Sequence, residues 1–337
     1  MSATVIQIIN GYDPERFSTM AQEAQVQKNA FIQSGVQVAN SELVTLCGQS
    51  GYTGDIDNIK PLTCDEPDYT NDNPADKIGT ASLSTQQMKY RKAARAKAWS
   101  VMNLAQGILL QDPMQGVFDR VGTYWATDNQ KRLINSLVGI KADNVANDNS
   151  DMVIDVATDA AGAVSDAEKA SALNFIKALE LKGDMDNIAA IAMHSTVYYG
   201  LYALNLIQFI KGSDDVSFRT FQGRAVIVDD SLPVEVGTNR VKYTSILFGR
   251  GAVHAGEGNM QGTVASEFYR DPMSGNGGGQ DTWITRRTDI IMPVGFSWTD
   301  TSVAGQTATY AELQNASNWN RIWDPKNIPL SFLVTNG

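Results

Sequence analysis

Hydrophobic and polar positions alternate along this chain with two periods. The segment from Asp13 to about Ser50 predicts a helix followed by an extended piece. Asp13-Pro14 supplies a cap and a proline at the first helical position. Phe17, Met20, Ala24 and Phe31 then recur at near-helical spacing, and a turn is expected at Ser34-Gly35. Gln86 to Ser100 runs instead with period two. Lys89, Arg91, Arg95 and Lys97 share one face; Met88, Tyr90, Ala94, Ala96 and Ala98 occupy the other, with Lys92 the exception. That alternation favours a half-buried strand, although the alanines also allow a helix. Asp112-Pro113 opens the clearest helix, running to about Ile140. Its apolar stripe is Met114, Val117, Phe118, Val121, Trp125, Leu133, Ile134 and Leu137. Such a helix spans ~42 Å at 1.5 Å per residue, the scale of a whole domain.

Downstream, 141–164 is mostly polar or small. Ser165-Asp166-Ala167-Glu168 reads as a capping box that starts a further helix, with Leu173, Ile176 and Leu179 on its inner face and Gly183 at its end. IAAIAM (188–193) reads as a buried strand. Ser195 then caps a helix through Tyr198, Leu201, Leu204 and Ile207 to Ile210. RAVIVDD (224–230) and TSILFG (244–249) are strands, so helices and strands alternate over 150–260 as in a compact α/β unit. GNGGG (275–279) is flexible by composition and joins Tyr269 to a strand pair around 285–298. The C-terminus ends on an apolar strand, and no internal repeat is present.

Composition narrows the class. A chain of 337 residues with 43% hydrophobic and 19% charged residues is globular and long enough for one large or two ordinary domains. No stretch approaches the roughly 18 apolar residues of a membrane span. MSATVIQIINGYDPERF has no basic region before an apolar run, so it does not read as a secretory signal. Cys47 and Cys64 are too few for a disulfide framework, which suits a chain made in a reducing cytoplasm. A net charge of −10 lacks the basic footprint of a phosphate-gripping protein and disfavours direct nucleic-acid binding. A container that holds DNA without adhering to it tolerates that balance.

Charge is unevenly distributed. Residues 51–80 carry Asp55, Asp57, Asp65, Glu66, Asp68, Asp72 and Asp76 against Lys60 and Lys77, with prolines and glycines that interrupt any helix. This predicts a long, acidic, projecting loop or hairpin, of a kind that is usually functional or disordered. The basic strand with Lys89, Arg91, Arg95 and Lys97 follows directly. The plain reading is two solvated faces. The functional one is docking between copies, an acidic arm of one subunit lying over the basic strand of the next. Exposed pairs contribute only ~0–1 kcal/mol each, so charge would set register and apolar burial would supply most of the affinity.

Catalytic signatures are sparse. His194 and His254 have no partner at metal-pair spacing. His194 reads as a junction residue between strand and helix, and Asp229-Asp230 as a turn entry before Ser231 and Pro233. The glycine run lacks the context of a phosphate loop, and no GxSxG occurs. No cofactor, metal or enzymatic activity is expected.

Taken in order, several segments resemble the major capsid proteins of tailed bacteriophages with the Hong Kong 97-type fold. They are FIQSGVQVANSELVTLCGQSGYTGDIDNIKPL, RAKAWSVMNLAQGILLQDPMQGVFDRVGTYWATDNQKRLINSLVGI, IAAIAMHSTVYYGL, FQGRAVIVDDSLPV, SILFGRGAVHAGEGN, TRRTDIIMPVGFSW and AELQNASNWNRIWDPKNIPLSFLVTNG. Together they cover nearly the whole chain. The resemblance implies an α+β capsid fold in five parts: an N-terminal arm (1–50), an extended loop (51–85), a peripheral domain (86–149) with a spine helix (113–140), an axial domain (150–284), and a return to the peripheral domain (285–337). It implies a subunit that assembles with copies of itself as pentamers and hexamers into an icosahedral shell around double-stranded DNA, in the virion head, after synthesis in the host bacterial cytoplasm. Because the first strong match begins near residue 31, a separate scaffolding protein is expected in place of a fused one, with a portal and, as a candidate, a decoration protein as further partners. Some relatives cross-link a loop lysine to a neighbour's asparagine; Lys60 and Lys77 lie in the right region, but spacing alone does not assign them that chemistry. Two other classes remain open at this point: an encapsulin-like compartment that encloses a cargo enzyme, and a soluble α/β enzyme.

Overall fold

The computed structural model describes residues 31, 35–62, 65–104, 113–185, 187–211 and 217–337. Among these, the largest unit is a mixed eight-stranded sheet. Its order is Val153–Asp155, Leu330–Thr335, Val241–Gly249, Ile188–Met193, Arg224–Val228, Ser217–Phe221 and Ile207–Lys211, with Val234–Val236 pairing beside Val241–Gly249. Alternate residues of a pleated strand face opposite sides, and here both sides are buried. Ala190, Ala192, Ile246, Phe248, Phe332 and Val334 enter one core with Leu133, Ile134, Leu137 and Ile140 of the long helix. Ile191, Met193, Leu247 and Leu333 enter a second core against Phe175, Ala178, Val197, Tyr198 and Leu201 of two short helices, Ala172–Glu180 and Ser195–Ala203. Each of the larger ones, from Val to Phe, contributes about 1.5–3 kcal/mol on burial. The α+β class expected from the sequence is what the chain adopts.

The long helix is Pro113–Asn147, 35 residues or ~52 Å. It outruns the expected end at Ile140 by about two turns, because polar contacts carry it on after the apolar stripe stops. Asn147 donates to the Asp143 carboxylate at 2.7 Å, and Asn144 binds Asp151 at 2.7 Å and the Met152 amide at 3.1 Å. Left-handed backbone at Asn149 and Ser150 then follows its end. Its N-terminal half lies over a second, five-stranded sheet, where Phe118 meets Trp283 (centroids 4.3 Å apart) and the Trp125 indole donates to Thr285 at 3.2 Å. One rod thus crosses both sheets.

That second sheet has the order Gln37–Ala39, Val253–Gly258, Gln280–Pro293 and Ser266–Asp271, with Ala93–Met102 paired to the opposite edge of Gln280–Pro293. Thr53–Ile59 and Thr85–Arg91 form a separate antiparallel hairpin. Its base packs in a small core of Leu43, Cys47, Met88, Tyr90, Ile290 and Met292.

Several local expectations change. Gln86–Ser100 is strand, as the alternation favoured, but it breaks at Lys92 into Thr85–Arg91 and Ala93–Met102. The extended piece before Ser50 is extended only at Gln37–Ala39; Ser41–Gly48 is a helix, its Asn40 cap accepting from the Glu42 amide at 2.9 Å. Ser165–Glu168 forms a turn, its amide-to-carboxylate bond 2.8 Å long, and the helix begins later, capped by Ser171. The buried face of that helix is Phe175 and Ala178; of the expected inner residues Leu179 is half-buried against the core, while Leu173 and Ile176 are exposed. The helix from Ser195 stops at Ala203, Asn205 takes a left-handed conformation, and Ile207–Lys211 is a strand. The Asp13-Pro14 start, Phe17, Met20, Ala24, Cys64 and the Asp112 cap lie outside the described residues. Finally, Leu330–Thr335 sits inside the eight-stranded sheet, between Val153–Asp155 and Val241–Gly249. The boundary expected at 284/285 also cuts through one strand, Gln280–Pro293.

Candidate assembly surface

The hairpin brings the acidic and basic segments together within one chain. In its register Asp55 stands opposite Lys89 and Asp57 opposite Gln87, whose amide donates to Asp57 at 3.0 Å. Opposed side chains lie on one face of a pleated pair, so these charges line one side while Ile56, Met88 and Tyr90 turn inward toward Cys47.

Most of the basic set is engaged by the chain's own acids. Arg91 pairs with Asp300 and donates to the Gln306 carbonyl at 3.0 Å; Lys89 Nζ lies 3.4 Å from the same carboxylate. Burial raises the Asp300 carboxyl, but hydrogen bonds from Arg91 and Trp298 and the Arg91 charge outweigh it, leaving its pKa below the ordinary value. Arg95 pairs with Asp128 of the long helix and with Asp289, and lies 5.4 Å over the Trp125 ring. Asp289 is also held by Arg287 at 3.0 Å. Of the four, only Lys97 is exposed. An inward face of cations at a strand base is therefore an internal tie between hairpin, sheet and helix. Asp128, Asp289 and Asp300 were not visible as partners beforehand, since they lie far away in sequence.

The acids behave differently. Beyond the paired strands, the described residues of 60–84 have no strand or helix and all are exposed, including Asp65, Glu66, Asp68, Asp72 and Asp76. Their shape comes from local bonds: Asp68 accepts from the Gly79 amide at 2.6 Å, Asp76 from Asn71 at 2.7 Å, and Glu66 from the Tyr69 hydroxyl at 2.8 Å. Ile59 at the end of its strand and Leu62, Tyr69, Ile78 and Leu83 beyond it are each between 58% and 80% exposed. These apolar side chains stand among carboxylates on one exposed stretch of chain.

Chemistry elsewhere is bland. His194 caps the helix from Ser195, accepting from the Thr196 amide at 3.2 Å, and Asp230 accepts from the Ser195 amide at 3.0 Å. Asp229 accepts from the Ser231 amide at 2.8 Å in a turn. Cys47 is buried, and burial pushes its thiol up to about 11. Among the described residues no group of three His, Cys, Asp or Glu side chains is placed to hold a metal, and no helix is long and apolar enough to cross a membrane.

A hairpin with a long exposed loop and a rod-like helix laid across two sheets make up the frame of the chain. Solved structures share this architecture across almost the entire chain. The capsid of Ralstonia phage GP4 covers 98% of both chains with a TM-score of 0.61 at 11% identity. The cyanophage Pam1 capsid covers 100% of this chain and 99% of its own, with a TM-score of 0.60 at 12% identity. The fold is the Hong Kong 97-like fold of phage capsids. No family model matches the chain. The major capsid protein of Bacillus phage SPP1, however, is 34% identical over 326 residues, covering 94% of this chain and 93% of that protein. The chain belongs to the family of phage major capsid proteins.

Proposed function

We propose that this chain assembles with copies of itself into the icosahedral head shell of a tailed phage, within the Hong Kong 97-type branch, and encloses double-stranded DNA. The carrying observation is the full-length similarity to a phage major capsid protein. The outstretched, apolar-bearing loop supplies the physical means. In this reading 1–50 is the arm, 51–85 the extended loop, and the five-stranded sheet with the long helix the peripheral domain. The eight-stranded sheet, with Leu330–Thr335 included, is the axial domain that meets its copies in pentamers and hexamers. Asp55, Asp57, Asp65, Glu66, Asp68, Asp72 and Asp76 contact a neighbouring copy together with Leu62, Ile78 and Leu83. Of the basic set, Lys97 and part of Lys89 are available to a neighbour, while Arg91 and Arg95 support the loop from within. The role is structural and non-catalytic. A separate scaffolding protein, a portal and, as a further candidate, a decoration protein are the other partners, the shell being made in the host cytoplasm and ending in the virion.

Electron microscopy of the purified protein, alone and with its scaffold, tests this. Closed particles of uniform diameter, or discrete pentamers and hexamers, are expected. A strictly monomeric protein under every assembly condition would overturn the proposal. Particles that carry a cargo enzyme and no DNA would redirect it to an encapsulin-like compartment.

A further inference from the structure

Between the two halves of the basic strand stands Lys92, 1% exposed. Its backbone amide donates to the Tyr52 carbonyl at 2.7 Å, just before the first hairpin strand. Its Nζ donates to the Gln49 carbonyl at 2.9 Å, at the C-terminal end of helix Ser41–Gly48. That end of a helix carries unsatisfied carbonyls and a partial negative charge, which suits a cation. The helix is itself seated closely on the five-stranded sheet. A Cβ at Gly256 would lie 2.5 Å from the Leu43 backbone, and one at Gly258 3.1 Å from Cys47. Tyr90, Lys92 and Ala93 are all buried, so the inward alternation of the strand is broken here by one residue. A one-residue irregularity of this kind bends a strand. Three elements therefore meet at one side chain: the helix before the hairpin, the hairpin, and the long sheet.

We infer that Lys92 is a positioning residue whose buried ammonium fixes the direction in which the extended hairpin leaves the body of the subunit. A buried charge is held only where its site supplies partners. A single carbonyl acceptor on a firmly docked helix makes the contact directional. Tilting the hairpin would pull Nζ from that carbonyl and leave both unpaired. Burial also lowers the pKa of Lys92, and the neighbouring Cys47 thiol works in the opposite sense. In the proposed shell, a fixed hairpin angle sets where the acidic loop reaches its neighbour. The inference rests on that reading for its purpose, but its geometry is tested on the free subunit.

Amine acylation of the full-length wild-type subunit, read by mass spectrometry, is one arm. Lys92 should react on the order of 100-fold more slowly than Lys60, Lys77 and Lys97, at the rate at which hairpin amides exchange by local opening. Reaction of Lys92 only at the slower exchange rate of Ile188–Met193 and Val241–Gly249 would overturn the inference, as would reaction as fast as the exposed lysines. The second arm is Lys92→Met, which keeps length and apolar bulk. Exchange over 53–59 and 85–91 should accelerate about 10-fold or more with the core strands unchanged, and particles should become heterogeneous in diameter. Unchanged hairpin exchange, loss of protection throughout the core, or particles as uniform as wild type would each overturn it. If the wild-type protein forms no particles at all, the shell reading fails while the two subunit-level results still decide the role of Lys92.

Discussion

At the base of the hairpin, Arg91 and Arg95 lie against carboxylates of their own chain, and the Asp289 that faces Arg95 is 1% exposed. Further out on the same hairpin, Asp65, Glu66, Asp68, Asp72 and Asp76 stand in water beside Leu62, Ile78 and Leu83. Along the sequence these two stretches look like complementary halves of one contact. In the fold their surroundings differ: the first is tied by carboxylates of its own chain, and the second is exposed to solvent. Charge pattern alone identifies both as unusual. Only the positions of Asp128, Asp289 and Asp300 separate an internal tie from an outward-facing surface.

Substitutions at the base should damage the subunit itself. Arg95→Met leaves Asp128 and Asp289 without their shared cation, and removing one partner of a buried pair costs about 3–5 kcal/mol. Chemical denaturation of the free subunit should show that loss; a change below 1 kcal/mol would mean that the Arg95 pairs are not a tie. Asp300→Ala removes the acceptor shared by Arg91, Lys89 and Trp298. A smaller cost of about 1–3 kcal/mol is expected, with faster amide exchange over 85–91.

A third charged cluster gives a pH-dependent contrast. Glu168 is held down to about 2, first by the Thr158 hydroxyl, then by Ser165 and Arg240. Because its folded pKa lies below the ordinary carboxylate range, its contribution is present above that range and fades as pH falls toward 2. Protection of the joined loops 158–168 and 237–240, taken relative to intrinsic amide exchange at each pH, should therefore fall as pH drops from about 5 to about 2, and Glu168→Gln should flatten that response.

Changes in the loop should leave the subunit intact. Replacing Asp65, Glu66, Asp68, Asp72 and Asp76 by their amides, or Leu62, Ile78 and Leu83 by serine, should alter subunit stability by no more than about 0.5 kcal/mol. Both should sharply reduce particle yield, the serine set more than the amides. Lys97→Glu should have the smallest effect, negligible on stability and modest on the rate of assembly, read by light scattering.

Much of this was legible beforehand where apolar spacing was strong. The stripe through Leu133, Ile134 and Leu137 marked the long helix, and IAAIAM marked a strand buried on both faces. The reading slipped where polar or evenly apolar residues decide. Asp143, Asn144 and Asn147 extend the long helix through side-chain bonds that have no periodicity. In Ala172–Glu180 apolar residues lie on both sides, so Leu173 and Ile176 could be taken for the buried face that Phe175 and Ala178 occupy. From Leu204 to Ile210 the run is apolar in either period, and a left-handed Asn205 ends the helix. The acidic stretch was read as a loop or hairpin, and residues 53–59 pair with 85–91 while the described residues between them are exposed. The division of the basic strand into internal ties and a free Lys97 required acids brought in from distant parts of the chain.

Hydrogen exchange compared between free subunits and assembled particles separates the two regions directly. Amides of 65–84 should be unprotected in the subunit and slow by on the order of 100-fold in the particle, while those of 85–95, already tied down by Arg91 and Arg95, should change little. A loop that exchanges equally fast in both states would contradict its use between copies.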